Sequence, residues 1–581
     1  YVFGGGKGEA RSYLNHDTNV QNTFVDISGG WIYGSVFGGA EDGHVMKDAT
    51  VAISGGKIGN WGTSYVEGNV FGGGRGFDGH NMFAGCIEGN VTMNISGGEM
   101  LGSIYGGGRL GSVGIDSSGK EMADTESSTH GHINMTISGG TIGNALEYKY
   151  YTFTIDTAGK AWSAIAAAKA AAADSLNNLK IAANIPQTEF QFIDSIHSGT
   201  TCTYIYRLTH TRGGNVFAGG MGRLYTLNGD PIQKWFNLGG VKSTNLIIRQ
   251  DSEEVPALIR GNVYGGCELG QVAGTHKVYD AYHRVKGTDE KDEYAWPDTL
   301  THVLIQGGTI GSEIKNAGSE TQYTFGSVFG SGYGDPTEKI DYVDDRGTVD
   351  KSDDITYESN PKFSSGLVEG GTWVEMTGGT VLGSVFGGGQ VANTHGNSIV
   401  SVTGGTVGME NMGDLRSGNV YGGGFGNRTI VRCGQIYGNA TVNISGTPVI
   451  HHHVYGGGAY GSVGQFKYDT RVDPIHLTPK VYGVERLKTR TDLTNALAPS
   501  GTTPAVGSII EPDATGRAIV TITGGTIGTD GLGDGMVFGS SYGDVANPLQ
   551  RDDFIGWVYD THVIIGDSLK GTLKGGSGTD F

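Results

Sequence analysis

Along most of this chain, apolar residues recur at every second position over four or five residues and are then stopped by glycines. Val51 and Ile53, Met93 and Ile95, and Val374 and Met376 each sit in such a stretch. A period of two predicts a strand with one buried face. Gly-Gly follows at once, and glycine adopts positive φ at little cost, so a sharp bend is expected there. A second kind of stretch reads Ile-x-Gly-Ser/Asn-Val-Phe/Tyr-Gly-Gly-Gly. The two join without interruption in Trp373–Gly389 (WVEMTGGTVLGSVFGGG) and in Thr92–Gly108 (TMNISGGEMLGSIYGGG).

Both halves repeat. The second recurs at Val2, Val36, Val70 and Ile104, each 34 residues after the last, and again at Val216, Val263, Val328, Val385, Val420, Val454 and Val537. The first recurs around Ile27, Ile53, Ile95, Ile137, Ile305, Met376, Val402, Ile444 and Ile522, with a degraded copy at Val563–Asp567. The closest copies, at Trp373 and Ser398, are 25 residues apart. Two short strands and two glycine corners in that length make one rung of a coil. Stacked rungs would place each inward Val or Ile about 4.8 Å from its counterpart, and stacking alone gives such a repeat a continuous core. The expected fold is therefore all-β, a parallel β-helix (β-solenoid), right-handed being the commoner form. A propeller blade needs four strands in about 40–45 residues, and very unequal spacing argues against a closed ring.

Unequal spacing means insertions, which a solenoid carries at its corners. The expected organisation is solenoid rungs over 1–143, an inserted α+β module over 144–213, and further rungs over 214–581 with long insertions near 270–300, 335–372 and 459–517. The module contains an Ala-rich stretch, Ala158–Ala183, with the best helix propensity in the chain. Its flanks, Tyr150–Ile155 and Cys202–Tyr206, are β-rich and suited to pair. The chain opens in mid-repeat at Tyr1–Gly6, which reads as a fragment of a longer protein.

Composition narrows the function. Of 581 residues 105 are glycine and only 13 proline, and glycine lacks the strict three-residue period of collagen. The net charge of −19 repels phosphate backbones and anionic membranes, so neither nucleic acid nor a membrane surface is an expected partner. No apolar run reaches the roughly 18 residues of a spanning helix. Cys86, Cys202, Cys267 and Cys433 form no CxxC pair; one or two disulfides of unassigned pairing are the alternative to isolated buried thiols, the simplest reading.

Candidate chemistry is sparse. The aromatic beside each inward Val (Phe37, Phe71, Tyr105, Phe386, Tyr421 and Tyr455 among the copies) points to the opposite face. The ladder is either an exposed strip able to grip glycan rings or a second buried core, and an apolar strip of that length on the surface would be unusual. Asp341, Asp344 and Asp345 lie in an acidic insertion with the hard oxygens that Ca²⁺ takes, but without the EF-hand pattern; a solvated acidic loop is the competing reading, and no other cofactor is expected. His451-His452-His453 sits inside a repeat with no second ligand cluster at useful spacing. Glycosidic cleavage requires two carboxylates at a defined separation, and Asp26, Glu99 and Glu375 form no cluster in sequence. Phosphate-loop, nucleophile-elbow and His-Glu-x-x-His patterns are missing. No catalytic residue is assigned.

The Val-Phe/Tyr-Gly-Gly-Gly and Ile-Ser/Thr-Gly-Gly-Thr-Ile-Gly units resemble those of very long glycine-rich, adhesin-like surface proteins of Bacteroidota. The resemblance covers most of the chain outside the insertions. It implies a secreted or surface-anchored, non-catalytic structural or adhesive protein at the bacterial cell surface. Its expected partners are glycans, surface proteins or other parts of the same long chain. A carbohydrate-binding or polysaccharide-cleaving β-helix, and a subunit of an outer-membrane surface assembly, are the alternatives.

Overall fold

The computed structural model describes residues 1–8, 18–60, 68–76, 84–115, 129–143, 149–156, 158, 189–198, 200–209, 214–226, 235–272, 299–315, 322–335, 340–344, 355–359, 365–410, 417–427, 433–464, 516–529, 534–543 and 556–566. The described secondary structure is strand throughout, and the stacking is parallel. The Val-Phe/Tyr pairs form one 11-stranded parallel sheet, from Val2–Phe3 and Val36–Phe37 through to Val454–Tyr455 and Val537–Phe538. The alternating stretches form a second. In it one column runs Val25, Val51, Met93, Met135, Leu246, Val303, Val374, Val400, Val442, Val520 and Val563, each paired with the next. Register holds although 111 residues separate Ile104 from Val216 in the sequence.

The coil also has a third line of contact that strand periodicity does not reveal. Val45, Ile87, Val113, Val241, Val272, Val368, Thr394, Ile436 and Val463 are buried, and most are joined to the next by single parallel bridges. Each stands between a Gly-Gly-Gly corner and the next alternating strand. The main core comprises the inward Val, Ile and Met of the first two sheets, and this third line forms smaller clusters beside it.

Two polar devices reinforce the stacking. The residue before each Val-Phe/Tyr pair receives the backbone N–H of the equivalent residue one rung on: Asn69 N–H donates to Ser35 Oγ (3.1 Å) and Ser103 N–H to Asn69 Oδ1 (2.7 Å). This side-chain ladder continues through Asn215, Asn262, Ser327, Ser384 and Asn419, and it accounts for the Ser/Asn of the repeat. Inside the coil, Thr301 Oγ1, Thr372 Oγ1 and Ser398 Oγ each donate at 2.6 Å to the carbonyl of the glycine after the aromatic in their own rung, Gly330, Gly387 and Gly422. That satisfies buried hydroxyls and ties the two sheets together. The glycine corners are steric necessities: a Cβ at Gly73 would lie 2.6 Å from Gly108 N in the next rung.

Insertions leave the coil at its corners, several as antiparallel pairs: Ser312–Lys315 with Gln322–Phe325, Arg223–Thr226 with Trp235–Leu238, and Ile340–Asp344 with Ile355–Ser359. In the largest, Lys149–Asp156 pairs with Thr201–Thr209, matching Ile155 to Cys202. A third strand absent from the sequence reading, Glu189–Ser198, pairs with the other edge of Thr201–Thr209. The Ala-rich stretch expected to be helical lies outside the described residues, apart from Ala158.

Candidate functional site: corners and outer faces of the coil

The corners follow a rule. Two of them flank every Val-Phe/Tyr strand, and both alternate between tight and open from one rung to the next. Strands at Val36, Ile104, Val263, Val385 and Val454 turn tightly on both sides. On the entering side the chain passes through Tyr33-Gly34, Leu101-Gly102, Arg260-Gly261, Leu382-Gly383 and His451-His452. On the leaving side it passes through one left-handed residue, Asp42, Leu110, Leu269, Val391 or Tyr460, each with φ between 58° and 61°. Strands at Val70, Val216, Val328, Val420 and Val537 carry an excursion on both sides.

The entering excursions share one device. The chain departs and returns through two glycines, both at positive φ: Gly59 and Gly68, Gly143 and Gly214, Gly311 and Gly326, Gly408 and Gly418, Gly528 and Gly535. A Cβ at Gly143 would lie 2.5 Å from Gly214 Cα, so the two backbone strands meet with no space for a side chain. The residue entering the next tight corner covers this port, since a Cβ at Gly59 would be 3.0 Å from Leu101 Cβ and one at Gly408 3.1 Å from His451 Cβ. Alternation has a steric reason. Rungs are about 4.8 Å apart, whereas a chain running out and back needs about 10 Å with its side chains.

The aromatic ladder is a second core. Phe37, Phe71, Tyr105, Phe386, Tyr421 and Tyr455 are all at most 6% exposed, and successive rings of the ladder from Phe37 to Tyr455 stack at 4.5–5.1 Å between centroids. Residues after the glycine triplet close over the ring edges: Phe425 meets Phe386, Tyr333 meets Tyr264 and Tyr542 meets Tyr455. Each ring face in the interior of the ladder is occupied by the neighbouring rung, so none is open to a sugar. Burial pushes the Tyr455 phenol up to about 12 and raises that of Tyr264 further. Tyr264 donates to Gln390 Oε1 at 2.5 Å.

Of the suggested calcium ligands, Asp341 and Asp344 lie on the strand Ile340–Asp344 of an open-corner excursion. Asp345 lies outside the described residues. Among the described residues no group of three or more His, Cys, Asp or Glu is placed to hold a metal ion. All four cysteines are buried thiols, and burial raises Cys86 and Cys267 to about 12, which disfavours the thiolate that a nucleophile requires.

The carboxylates weighed for hydrolysis are scattered. Asp26 stands beside Ala52 in the adjoining rung, Glu99 pairs with Lys57 at 3.3 Å, and Glu375 lies beside Leu304 and Ser401. His132 Nδ1 and Ser243 Oγ are 2.7 Å apart, but His132 Nε2 is buried without a hydrogen bond, so among the described residues no acid orients the imidazole as a nucleophile's base requires. One outward cluster was not foreseen. His302 stacks on Trp373 at 4.4 Å, its Nε2 is 3.4 Å from Glu375 Oε2, and its Nδ1 is 3.2 Å from Asn245 Oδ1. These residues come from three successive rungs, so only register assembles them.

Among the described residues no helix is long and apolar enough to cross a membrane. Comparison with models of protein families, with curated proteins and with solved structures finds no match for this chain.

Proposed function

We propose that this protein is a non-catalytic, cell-surface structural or adhesive scaffold, in which the coil is a stiff spine and the corner excursions carry the contacts. The observation behind this reading is the alternation of tight and open corners. Excursions of very different length, from the segment between Gly59 and Gly68 to that between Gly143 and Gly214, enter and leave through the same paired-glycine port. The Val36–Val70 and Ile104–Val216 pairings keep the same register around them. Loops that vary while their scaffold does not are a common arrangement in recognition proteins. Glycans and surface proteins are the partner classes this reading favours.

The test replaces Gly143–Gly214 by Leu-Gly, the tight corner used at Leu101-Gly102. The expected result is a chain that keeps its β-type circular dichroism and cooperative melting, but loses binding to a subset of surfaces or glycans that the full chain retains. Turnover of any polysaccharide by the full chain, or unfolding of the whole coil on excision, would refute the proposal.

A second reading, carbohydrate binding at the outer sheet face, is favoured by the His302–Trp373–Glu375 cluster. It predicts that Trp373→Ala abolishes binding on a glycan array while the excision leaves it intact.

A further inference from the structure

The histidine triplet has no part in the scaffold described above. Aligned by register, His451-His452-His453 occupies the places of Leu101-Gly102-Ser103 and Leu382-Gly383-Ser384. It therefore forms a tight corner, with His451 above the Gly408 port and His452 above Gly418. All three side chains are buried. His452 Nδ1 donates to the Ser417 carbonyl, and His451 Nδ1 lies 2.6 Å from Thr529 Oγ1.

His453 takes over the acceptor position of the Ser/Asn ladder. Its own N–H donates to Asn419 Oδ1 at 2.9 Å, and its Nδ1 receives the N–H of Met536 from the next rung at 3.2 Å. A ring nitrogen can accept only through a free lone pair, so the rung-to-rung bond requires neutral imidazole with its proton on Nε2. Ser and Asn accept at every pH, and among the described ladder bonds this one alone is lost on gaining a proton.

The ionisable and polar surroundings are few. From its own rung His453 faces His452 and the edge of Tyr455, and from the next it faces Phe538 edge-on and Asp534, whose Oδ1 is 3.9 Å from Nδ1. We propose that His453 makes the joint between the rung of Val454–Tyr455 and the rung of Val537–Phe538 acid-labile, so that acidification opens residues 534–543 locally while the remaining rungs stay stacked. Burial, the largest influence, lowers the affinity of His453 for a proton, with Asp534 opposing and His452 assisting. The unfolded or opened chain therefore binds the proton first. Stability of the joint is complete above the ordinary value of 6.5 and declines as pH falls through that value towards the lower folded one.

The experiment is native-state hydrogen exchange of the full chain followed by mass spectrometry, at pH 8.0, 6.5 and 5.5 after correction for intrinsic rates. Peptides covering 534–543 should show an opening constant that rises on acidification, by at most about tenfold per pH unit for one proton. Peptides covering the Val385 and Val420 rungs should show no such rise. His453→Asn and His453→Ser, the residues used elsewhere in the ladder, should abolish the pH dependence while preserving protection at pH 8.0. In the unaltered chain, selective ¹⁵N labelling of histidine should find one ring holding the Nε2–H tautomer below pH 6.5. No acid rise at 534–543, a rise that persists in His453→Asn, or no ring that resists protonation would each overturn the proposal.

Discussion

Ser384 receives the backbone N–H of Asn419 on its Oγ at 3.1 Å, and its own N–H is received by Ser327 Oγ at 3.0 Å. Each side chain in this line thus serves the rung after it, and the line is a bonding system additional to the sheet. Ser384→Ala removes the acceptor but leaves a buried N–H behind, which should cost about 1–3 kcal/mol. Ser384→Asn restores an acceptor of the kind used at Asn419 and should recover most of the loss. Chemical denaturation of the two variants compares them directly.

The paired glycines at the open corners make a sharper prediction. Gly143→Ala adds a Cβ 2.5 Å from Gly214 Cα at a φ of 91°, combining a backbone clash with an unfavourable conformation. Strain of this kind costs about 1–3 kcal/mol. Gly29→Ala, where no atom lies within 4 Å of the added Cβ and φ is not positive, should change stability by about 0.5 kcal/mol or less. Thermal melts of the two variants should therefore separate clearly, and equal effects would contradict the port geometry.

Phe386 is sandwiched between Phe329 and Tyr421 with centroids at 4.8 and 4.6 Å. Phe386→Ala should destabilise by about 3–5 kcal/mol, as for other large-to-small core changes. Glycan-array binding at the other faces should be unchanged at temperatures where the variant is folded. A loss of sugar binding without a loss of stability would restore the ladder as a recognition strip.

Asp42 combines burial with a left-handed backbone, φ 58°. Burial, helped by Glu41, raises its carboxyl from 3.8 to about 6. Between those values the folded chain binds more protons than the unfolded one, so stability falls as pH rises through the window and the penalty is complete above it. Asp42→Asn keeps a residue that tolerates this conformation and cannot ionise. It should raise the melting temperature at pH 7–8, with the gain fading towards pH 4.

Much of the coil is legible in the residues because burial of one strand face imposes a period of two and stacking imposes glycine at corners. Val51, Ile53 and the Val-Phe-Gly-Gly-Gly units announce both. The third line, Val45 to Val463, is nearly silent because a single Val or Ile between two corners has no period of its own, and the excursions vary its distance from the glycine triplet. The tight leaving corner hides for another reason: Leu110, Val391 and Tyr460 are poor predictors of positive φ, and only the packed surroundings hold them there. The His302–Trp373–Glu375 cluster draws on three distant segments, so composition and spacing could not find it. The triplet at His451 was visible as a motif, but its meaning depended on knowing which ladder position each histidine fills.

The alternation of corners also limits how such a protein can change in length. Adding or deleting one rung would bring two excursions, or two tight corners, onto neighbouring levels, and the first of these does not fit in about 4.8 Å. A rung that carries excursions should therefore be added only together with a tight one, about 10 Å at a time, whereas a tight rung can be added beside another tight one.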